Sequence, residues 1–199
     1  MNAENITRKK QIRTAAIDLI AEKGIQNVTM KNLSRLIGIS EPAIYRYYNS
    51  KYDILYGILD SFEEYSIGKI KAIQKQMNHP LQQMEAFFMN RCQLCQGAPN
   101  VAKVVFSEEY FQHDERLAEK MSSIMHQHGT FFYSAIQNCQ KQGIFRSDID
   151  AKIVFQIIIG PLRLLIKQWG LEQHRFSLLE AARKLWESEM KLFLVSHNR

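Results

Sequence analysis

The chain has 199 residues, of which 46% are hydrophobic, with only nine glycines and four prolines. This composition is typical of a helical globular protein and excludes a disordered chain. The net charge is +6, and residues 1–51 carry +5 of it, with nine basic and four acidic side chains. A positive charge concentrated at one end predicts a polyanion partner, bound more weakly as the salt concentration rises.

The three cysteines, Cys92, Cys95 and Cys139, are too few for a disulfide framework in a chain of this length. We therefore expect reduced thiols in a cytoplasmic protein. The N-terminus has no apolar run, so no signal peptide is predicted. The most apolar segment, residues 153–169, is interrupted by polar and charged side chains and is not predicted to span a membrane.

The first helix is predicted over residues 7–23, with Thr7 as its N-cap and apolar side chains recurring at helical spacing. Residues 1–6 are expected to form a loose arm. Gly24 ends the helix because glycine tolerates the positive φ of a helix C-terminus. We expect this helix to support the following segment from behind.

Residues 30–55 are predicted to form two short helices, joined by a tight turn and followed by the start of a third. Thr29 is the predicted N-cap of the first of these helices. Its N-terminus presents backbone N–H groups, which suit a phosphate oxygen. Gly38 ends this helix, since glycine can adopt the left-handed conformation required there.

The second short helix is predicted over residues 41–48, with Ser40 as its N-cap. Pro42 lies in its first turn, where the missing backbone N–H costs nothing. Ser50 is the predicted N-cap of the third helix, which begins at Lys51. Two short helices separated by a glycine turn, the second bearing exposed aromatic and basic groups, predict a helix-turn-helix.

These segments resemble the TetR (tetracycline-repressor-like) family of transcriptional regulators. The resemblance covers the first quarter of the chain, and many positions match in register. It is carried by Gly24-Ile25, Val28-Thr29-Met30, Leu33, Leu36-Ile37-Gly38-Ile39-Ser40, Ala43-Ile44-Tyr45-Arg46-Tyr47-Tyr48, Ser50-Lys51 and Ile54-Leu55. Ser34 and Ile37 stand where the family commonly has alanine, and Tyr48 where it usually has phenylalanine.

The helix-turn-helix predicts which side chains contact DNA. Base edges are read by side chains near the start of the second helix, and phosphates are held by hydroxyls, N–H groups and cations. The residues assigned to the groove side are Ser40, Glu41, Pro42, Ala43 and Arg46. The resemblance implies phosphate contacts from Thr29, Tyr45, Tyr47 and Lys51, and Lys31 completes the DNA-binding set. Tyr48 is expected to pack in the core.

Six further helices are predicted beyond residue 50. The first, over residues 51–77, starts at the helix-turn-helix and is the obvious lever between this motif and the rest of the chain. The others cover residues 81–96, 100–111, 114–142, a segment ending at Trp169, and residues 177–196. The predicted N-caps of three of them are Asn100, either Asp148 or Asp150, and Ser177. No strand pattern or internal repeat is present in the sequence.

The expected fold is therefore all-α. A three-helix helix-turn-helix DNA-binding domain is predicted over residues 1–50, and a second helical domain over residues 51–199. The resemblance implies that the second domain binds an effector and forms a homodimer. It also implies that the last two helices, near residues 151–170 and 177–196, pair with their mates in a four-helix bundle. The alternative is that these two helices pack within one monomer.

Residues capable of metal binding or catalysis are few. Cys92 and Cys95 form a CxxC pair, a spacing found in zinc and redox sites. Zinc would need a second ligand pair and a redox site a strand–helix setting, so core packing beside Phe88 is expected instead. His126 and His128 point to different helix faces, which argues against joint metal ligation. No catalytic triad or phosphate loop is present, so no enzyme activity, metal or cofactor is predicted.

Aromatic and sulfur-containing side chains are numerous between residues 87 and 133. Core packing is the default role, and the sharper hypothesis is an apolar cavity for a small effector, since such sites lie between the helices of bundles. The residues assigned to this pocket are Phe87, Phe88, Phe106, Met121, Met125, His128 and Phe132. Arg91, Gln137 and Arg163, together with His128, are available as polar anchors.

The sequence thus predicts a cytoplasmic, homodimeric transcriptional regulator. We expect a repressor that binds a palindromic operator and is released when a small apolar effector shifts the helix beginning at Lys51. One alternative is a helical carrier for apolar ligands whose basic end binds polyanions without sequence preference. Another is an enzyme that uses Cys92 or Cys95, which predicts a thiol-dependent activity.

Overall fold

The computed structural model of the protein describes residues 3–195, and nine α-helices account for most of this range. They are α1 (Ala3–Lys23), α2 (Met30–Ile37), α3 (Glu41–Tyr45), α4 (Lys51–Gln76), α5 (Pro80–Gly97), α6 (Pro99–Val105), α7 (Glu115–Lys141), α8 (Ala151–Leu171) and α9 (Leu178–Phe193). Two short 3-10 helices cover Ile25–Asn27 and Glu108–Tyr110. An isolated antiparallel bridge joins Phe145 to Leu194. The all-α prediction is confirmed.

Packing divides the chain into two units. The first unit comprises Met1–Tyr65 and Ala98–Ile124, and the second comprises Ser66–Gly97 and Met125–Arg199. The helices α4 and α7 each run through the boundary, so each contributes residues to both units. The domain boundary predicted at residue 50 separates a DNA-binding segment from an effector-binding segment. It is defined by function and not by packing, so it stays a prediction.

In the first unit, α1 packs against α2 and α6. The Asn100 side chain donates to Asp18 Oδ1 at 2.9 Å, and Lys103 Nζ donates to the Ala21 carbonyl at 2.5 Å. The prediction of Asn100 as a helix cap is wrong, because α6 begins at Pro99 and the Asn100 amide is engaged by α1.

The start of α1 also differs from the prediction. The helix begins at Ala3 rather than after Thr7, so residues 3–6 are helical and not a loose arm. No glycine or proline lies between Ala3 and Thr7, so nothing in the backbone stops the helix from extending. Residues 1 and 2 of the predicted arm, like residue 196 of the predicted last helix, lie outside the described residues.

Most of the predicted caps are confirmed. The Thr29 hydroxyl accepts a hydrogen bond from the Asn32 backbone N–H at 3.1 Å, and Gly38 ends α2 with a φ of 76°. The Ser50 hydroxyl accepts from the Asp53 N–H at 3.1 Å, which starts α4. At the starts of α8 and α9, Asp150 and Ser177 act in the same way. These bonds satisfy N–H groups that a helix N-terminus leaves without partners.

The second short helix departs from the prediction at both ends. Ser40 occupies the N-cap position of α3, but its hydroxyl makes no capping hydrogen bond. The helix ends at Tyr45 and not at Tyr48. The Tyr47 N–H donates to the Ile44 carbonyl at 2.8 Å, three residues back, which closes a tighter turn than that of an α-helix.

In the second unit, α9 packs against α8 and α5. Aromatic rings make many of these contacts. Phe88 on α5 lies 5.1 Å from Trp186 on α9, measured between ring centroids. Phe132 on α7 lies 5.4 Å from Phe155 on α8. Burial of such large side chains supplies much of the free energy that holds helices together.

One face of α8 is both apolar and exposed. Ile153, Ile157, Leu164 and Leu171 follow one stripe at helical spacing, and Leu171 is 75% exposed. Gly160 lies in the same stripe and has open space around it. By length and composition alone α8 could cross a membrane, and 28% of its most apolar window is buried inside the protein. An apolar stripe opposite a buried face is typical of a helix that packs on a further helix.

Candidate functional site

The predicted DNA-binding residues all reach solvent. Six of them are exposed, namely Thr29, Lys31, Ser40, Pro42, Tyr45 and Arg46. The other four are half-buried, namely Glu41, Ala43, Tyr47 and Lys51. Between them, Leu33 and Ile44 have no exposed surface and Tyr48 is buried, as expected for the core of this segment. The segment therefore separates its packing side chains from its accessible ones as the motif requires, while the DNA contacts themselves stay a prediction.

The N-terminus of α2 is suited to bind a phosphate group. The Thr29 hydroxyl accepts the hydrogen bond that caps the helix, and its own O–H is a donor. Thr29 and Lys31 are exposed there. A phosphate oxygen at this position would meet a hydroxyl, backbone N–H groups and a cation together.

The start of α3 presents small side chains and a free hydroxyl. Ser40 is exposed and its hydroxyl makes no cap bond, so that group faces solvent as a donor and acceptor. Pro42 and Ala43 add little bulk beside it. The Tyr45 side chain is 51% exposed at the other end of the helix. Small side chains at a helix start allow the edge of a DNA base to approach closely. A larger side chain such as Tyr45 can reach outward to the sugar-phosphate backbone of the DNA.

Tyr48 anchors the turn after α3. The Arg13 guanidinium on α1 donates to the Tyr48 hydroxyl at 3.0 Å, and Lys9 Nζ lies 5.6 Å from the ring centroid. A Cβ added at Gly57 on α4 would lie 3.1 Å from the Tyr48 hydroxyl, so glycine allows this close packing. Burial raises the pKa of Tyr48. Its neighbour Tyr47 lines a groove together with residues of α1 and α4. The contact between Arg13 and Tyr48 was not predicted from the sequence.

A groove of about 470 Å³ lies between α1 and α4. Its lining includes both signs of charge, with Lys9 and Arg13 on α1 and Asp53, Asp60 and Glu64 on α4. None of the seven predicted pocket residues lines this groove. It therefore does not match the apolar effector cavity expected from the sequence.

Part of the predicted effector pocket forms one aromatic cluster in the second unit. The ring of Phe87 on α5 lies 5.2 Å from that of His128 and 5.5 Å from that of Phe132, both on α7. Phe131 lies 5.4 Å from the same Phe87 ring. The structure thus brings Phe87, His128 and Phe132 together. Phe131, which was not assigned to the predicted pocket, joins them.

The remaining predicted pocket residues lie elsewhere. Phe88 packs against Trp186, and Met125 is 46% exposed. Phe106 and Met121 belong to the first unit, where Phe106 lies edge-on to Phe62 at 6.3 Å. A run of aromatic residues in the sequence does not show which of their rings share a neighbour, because helical side chains point around the whole circumference.

A buried arginine lies beside the aromatic cluster. Arg91 on α5 is 4% exposed, and its guanidinium lies 4.3 Å from the Phe87 ring centroid. It donates to Ser66 Oγ at 3.0 Å and to Asn90 Oδ1 at 3.2 Å. Burial, and next the positive charge of Arg91, lower the pKa of His128 to about 3. The cluster therefore holds one cation and one neutral imidazole at physiological pH.

The cysteines behave as core residues. Cys92, Cys95 and Cys139 have no exposed surface, and burial raises the pKa of each thiol to about 12. Among the described residues, no group of three or more histidine, cysteine or acidic side chains could hold a metal ion. Buried, protonated thiols are inert, which agrees with a packing role for the CxxC pair.

Glu189 is a buried carboxyl that sequence analysis missed. It lies on α9 and is 4% exposed, and within the described part of the chain neither carboxyl oxygen has a hydrogen-bond partner. Burial raises the pKa of Glu189 to about 8. The spacing from Trp186 and Phe193 places it on the buried face of α9, and this spacing was the available signal.

Comparison with known families matches almost the whole chain. Residues 12–56 match the model described as bacterial regulatory proteins of the tetR family. Residues 62–191 match the model described as the C-terminal region of YsiA-like proteins. The first match contains the helix-turn-helix with all ten predicted DNA-binding residues. The second contains the aromatic cluster, α8 and all but the last two residues of α9.

Three known proteins illustrate the similarity. The nucleoid occlusion factor SlmA of Glaesserella parasuis is 25% identical over 174 residues, which are 84% of this chain and 86% of SlmA. The fatty acid degradation regulator FadR of Bacillus halodurans has a TM-score of 0.82 at 18% identity, over 92% and 94% of the two chains. FadR of Bacillus subtilis, solved with stearoyl-CoA, has a TM-score of 0.77 at 21% identity, over 91% and 97%.

Proposed function

Because the chain belongs to the TetR family of bacterial transcriptional regulators, we propose how its residues divide the tasks of such a regulator. Members of this family are DNA-binding, ligand-responsive repressors and not enzymes, and the same holds for this chain. The tasks to be assigned are operator contact, dimerisation and effector binding.

For operator contact, we propose that α3 enters the major groove. Ser40, Pro42 and Arg46 would face base edges, and Thr29 and Lys51 would hold phosphates on either side. The observation that carries this proposal is that all ten assigned residues reach solvent, while Leu33, Ile44 and Tyr48 between them are buried. The excess positive charge of residues 1–51 favours the approach of DNA.

The test is selection of genomic fragments by the purified protein at near-physiological salt. We expect enrichment of a short two-fold-symmetric sequence, lost when Tyr45→Ala and Lys51→Ala are combined. Lys75→Ala, at the opposite end of α4, is the matched control and should select the same fragments as the wild type. Enrichment without sequence preference in all three proteins would contradict operator recognition and favour the apolar-ligand carrier.

For dimerisation, we propose that α8 and α9 pair with the same helices of a second copy. The exposed stripe of Ile153, Ile157, Leu164 and Leu171 on α8 supports this proposal, and Leu192 on α9 is also 58% exposed. Gly160 in the stripe allows a second helix to approach closely. Such a dimer would place two α3 helices on half-sites about 34–36 Å apart.

Sedimentation velocity tests this interface. Leu164→Glu places a charge on the stripe, and because Leu164 is exposed in one chain, the fold of the monomer should survive. We expect Leu164→Glu to sediment as a monomer and Asn138→Glu, on the exposed face of α7, to stay dimeric. A dimeric Leu164→Glu protein would exclude α8 from the interface.

For effector binding, we propose a small, largely apolar molecule that binds beside Phe87, His128 and Phe132 in the second unit. FadR of Bacillus subtilis, similar in fold, was solved with stearoyl-CoA, which has a long apolar chain. Binding would shift α4, which begins at Lys51, and so disfavour the DNA-bound state. We also propose a cytoplasmic location, where the operator lies.

The effector proposal is tested by release of the protein from its selected operator. Candidate compounds are chosen from the genes beside that operator and added at increasing concentration to the complex. We expect an active compound to release wild-type protein and to act more weakly on Phe87→Ala, while Phe145→Ala, in a different part of the core, keeps its response. Equal responses of both variants would place the effector elsewhere.

A further inference from the structure

The groove between α1 and α4 has two walls of opposite charge. Lys9 and Arg13 lie on the α1 wall. Asp53, Asp60 and Glu64 lie on the α4 wall, and all five residues belong to the first unit. A simple anion or a simple cation in this groove is attracted by one wall and repelled by the other. A molecule that carries both charges can instead meet each wall with the opposite sign.

The carboxylates of the α4 wall are not paired with the cations across the groove. Asp53 bonds to Arg116 on α7 at 2.6 Å. Asp60 bonds to Lys120 on the same helix at 2.8 Å. Glu64 is exposed, and within the described part of the chain it forms no ion pair. The α4 wall therefore keeps one carboxylate that is available to a cationic group.

The cations of the α1 wall are available in the same way. The Arg13 guanidinium donates to the neutral Tyr48 hydroxyl at 3.0 Å, and Lys9 Nζ lies 5.6 Å from the Tyr48 ring centroid. Among the described residues, neither cation pairs with a carboxylate. A guanidinium has five N–H donors and an ammonium group has three, so both side chains can also donate to a bound anion.

The groove has the size and the apolar surface of a small-molecule site. Its volume of about 470 Å³ lies within the range in which proteins bind small molecules. Tyr47, Tyr48 and Tyr56 line it, and Ile6, which is 52% exposed, adds an aliphatic side chain. Aromatic rings pack against an apolar body, and their faces also attract a cation.

We propose that this groove is a ligand site of its own, which binds a zwitterion with an aromatic or aliphatic body. The carboxylate of the ligand would bind Lys9 and Arg13, and its ammonium group would bind Glu64. Because the two charges must reach opposite walls, we favour a dipeptide, whose ends are about 7 Å apart when extended, over a single amino acid. This inference goes beyond the proposed function, since the effector site proposed above lies in the second unit.

The test is an amide NMR titration of the full-length protein, without DNA, with the dipeptide leucyl-phenylalanine and two analogues. The N-acetyl dipeptide keeps only the carboxylate, and the dipeptide amide keeps only the ammonium group. We expect the dipeptide to bind about twofold to fivefold more tightly than either analogue, the usual contribution of one solvent-exposed ion pair. The amide signals of Gly57 and Ser61, which line the groove, should shift during the titration.

Two variants assign the charges of the ligand to the two walls. Glu64→Gln should abolish the preference for the dipeptide over its N-acetyl analogue, because the ammonium group then has no carboxylate to meet. Lys9→Gln should reduce the preference for the dipeptide over its amide, while Arg13 supplies the remainder. Lys10→Gln and Glu22→Gln, which change exposed residues of α1 outside the groove, are the matched controls and should retain both preferences.

The proposal is overturned if the dipeptide is not preferred over both analogues, or if either preference is unchanged in the variant that should lower it. Equal binding of the dipeptide and its N-acetyl analogue would identify a simple anion site. Shifts confined to amides of the second unit would place the ligand elsewhere. Neither operator binding nor the effector site enters this measurement, so its failure would leave those two proposals unaffected.

Discussion

Arg116 near the start of α7 donates a 2.6 Å hydrogen bond to Asp53 Oδ1 in the first turn of α4. This contact lowers the pKa of the Asp53 carboxyl. Further along the same two helices, Lys120 Nζ lies 2.8 Å from Asp60 and 2.5 Å from Glu63. Although burial opposes it, bonding to these two carboxylates raises the pKa of Lys120. Ion pairs therefore connect α7 to the part of α4 that begins at Lys51.

Removing the Arg116 side-chain charge should weaken operator binding. Arg116→Gln releases Asp53, whose backbone N–H also bonds to the Ser50 cap, so the first turn of α4 loses a restraint next to Lys51. Because the pair is exposed to solvent, we expect only about a twofold to fivefold loss of affinity, which disappears at high salt. Fluorescence anisotropy on the selected operator measures it. Arg183→Gln, on the exposed face of α9, should bind as the wild type does.

The phosphate contact assigned to Lys51 predicts a salt dependence. Each cation that neutralises a DNA phosphate adds about 0.9 to the slope of log affinity against log salt concentration. Lys51→Ala should therefore reduce the slope by about 0.9 per half-site and weaken binding to all sequences alike. Lys75→Ala, at the far end of α4, should leave the slope unchanged. Equal slopes for wild type and Lys51→Ala would show that Lys51 does not contact a phosphate.

The buried carboxyl of Glu189 predicts that stability falls as pH rises. Burial raises its pKa from 4.5 to about 8, so the folded protein holds a proton that the unfolded chain releases in this range. The contribution of this proton to stability is complete below pH 4.5 and is lost as pH increases through 8. Glu189→Gln keeps the side chain neutral, so we expect its stability relative to wild type to rise by roughly 3–4 kcal/mol between pH 5 and pH 8.

Urea unfolding at pH 5, 6.5 and 8, at one protein concentration, measures this effect. The wild type and Glu189→Gln should differ least at pH 5, and the difference should grow with pH. Glu187→Gln, an exposed neighbour on α9, removes the same charge without burial and should follow the wild-type profile. Parallel profiles for wild type and Glu189→Gln would mean that Glu189 ionises like an exposed carboxyl.

The buried cysteines predict a protein that resists thiol reagents. Because the thiolate is the reactive form, a pKa of about 12 for Cys92, Cys95 and Cys139 leaves almost none at neutral pH. Ellman's reagent should react with none of them in the native protein, and with all three after denaturation. Ser134→Cys, which places a thiol on the exposed face of α7, should react at once. Fast reaction of the native wild type would revive a redox role for the CxxC pair.

Local features were predictable from sequence because their causes lie within a few residues. The capping hydroxyls of Thr29, Ser50 and Ser177 accept from N–H groups three residues ahead, and Gly38 supplies a positive φ by itself. Predictions failed where a distant element intervened. Asn100 was expected to cap α6, but its amide bonds to Asp18, 82 residues away.

The sequence also did not predict which aromatic side chains pack in the first unit and which in the second, because this too depends on distant elements. Phe87, Phe106 and Phe132 look alike in the sequence, yet Phe106 packs on Phe62 in the first unit while the other two share a cluster. Helical periodicity gives the face on which a residue lies, but not the element which that face meets. The proposed DNA-binding residues were easier to assign from the sequence, because one short motif contains them all.

The sequence by itself determined the nine helices, their order and the helix-turn-helix, since periodic burial, caps and breakers act over one or two turns. Tertiary structure alone decided which polar groups meet across the chain. Arg13 reaches Tyr48, and Arg116 reaches Asp53, over separations of 35 and 63 residues. It also decided that Arg91 is buried. Such pairings depend on how whole helices pack, and that packing is a property of the summed contacts and not of any local segment.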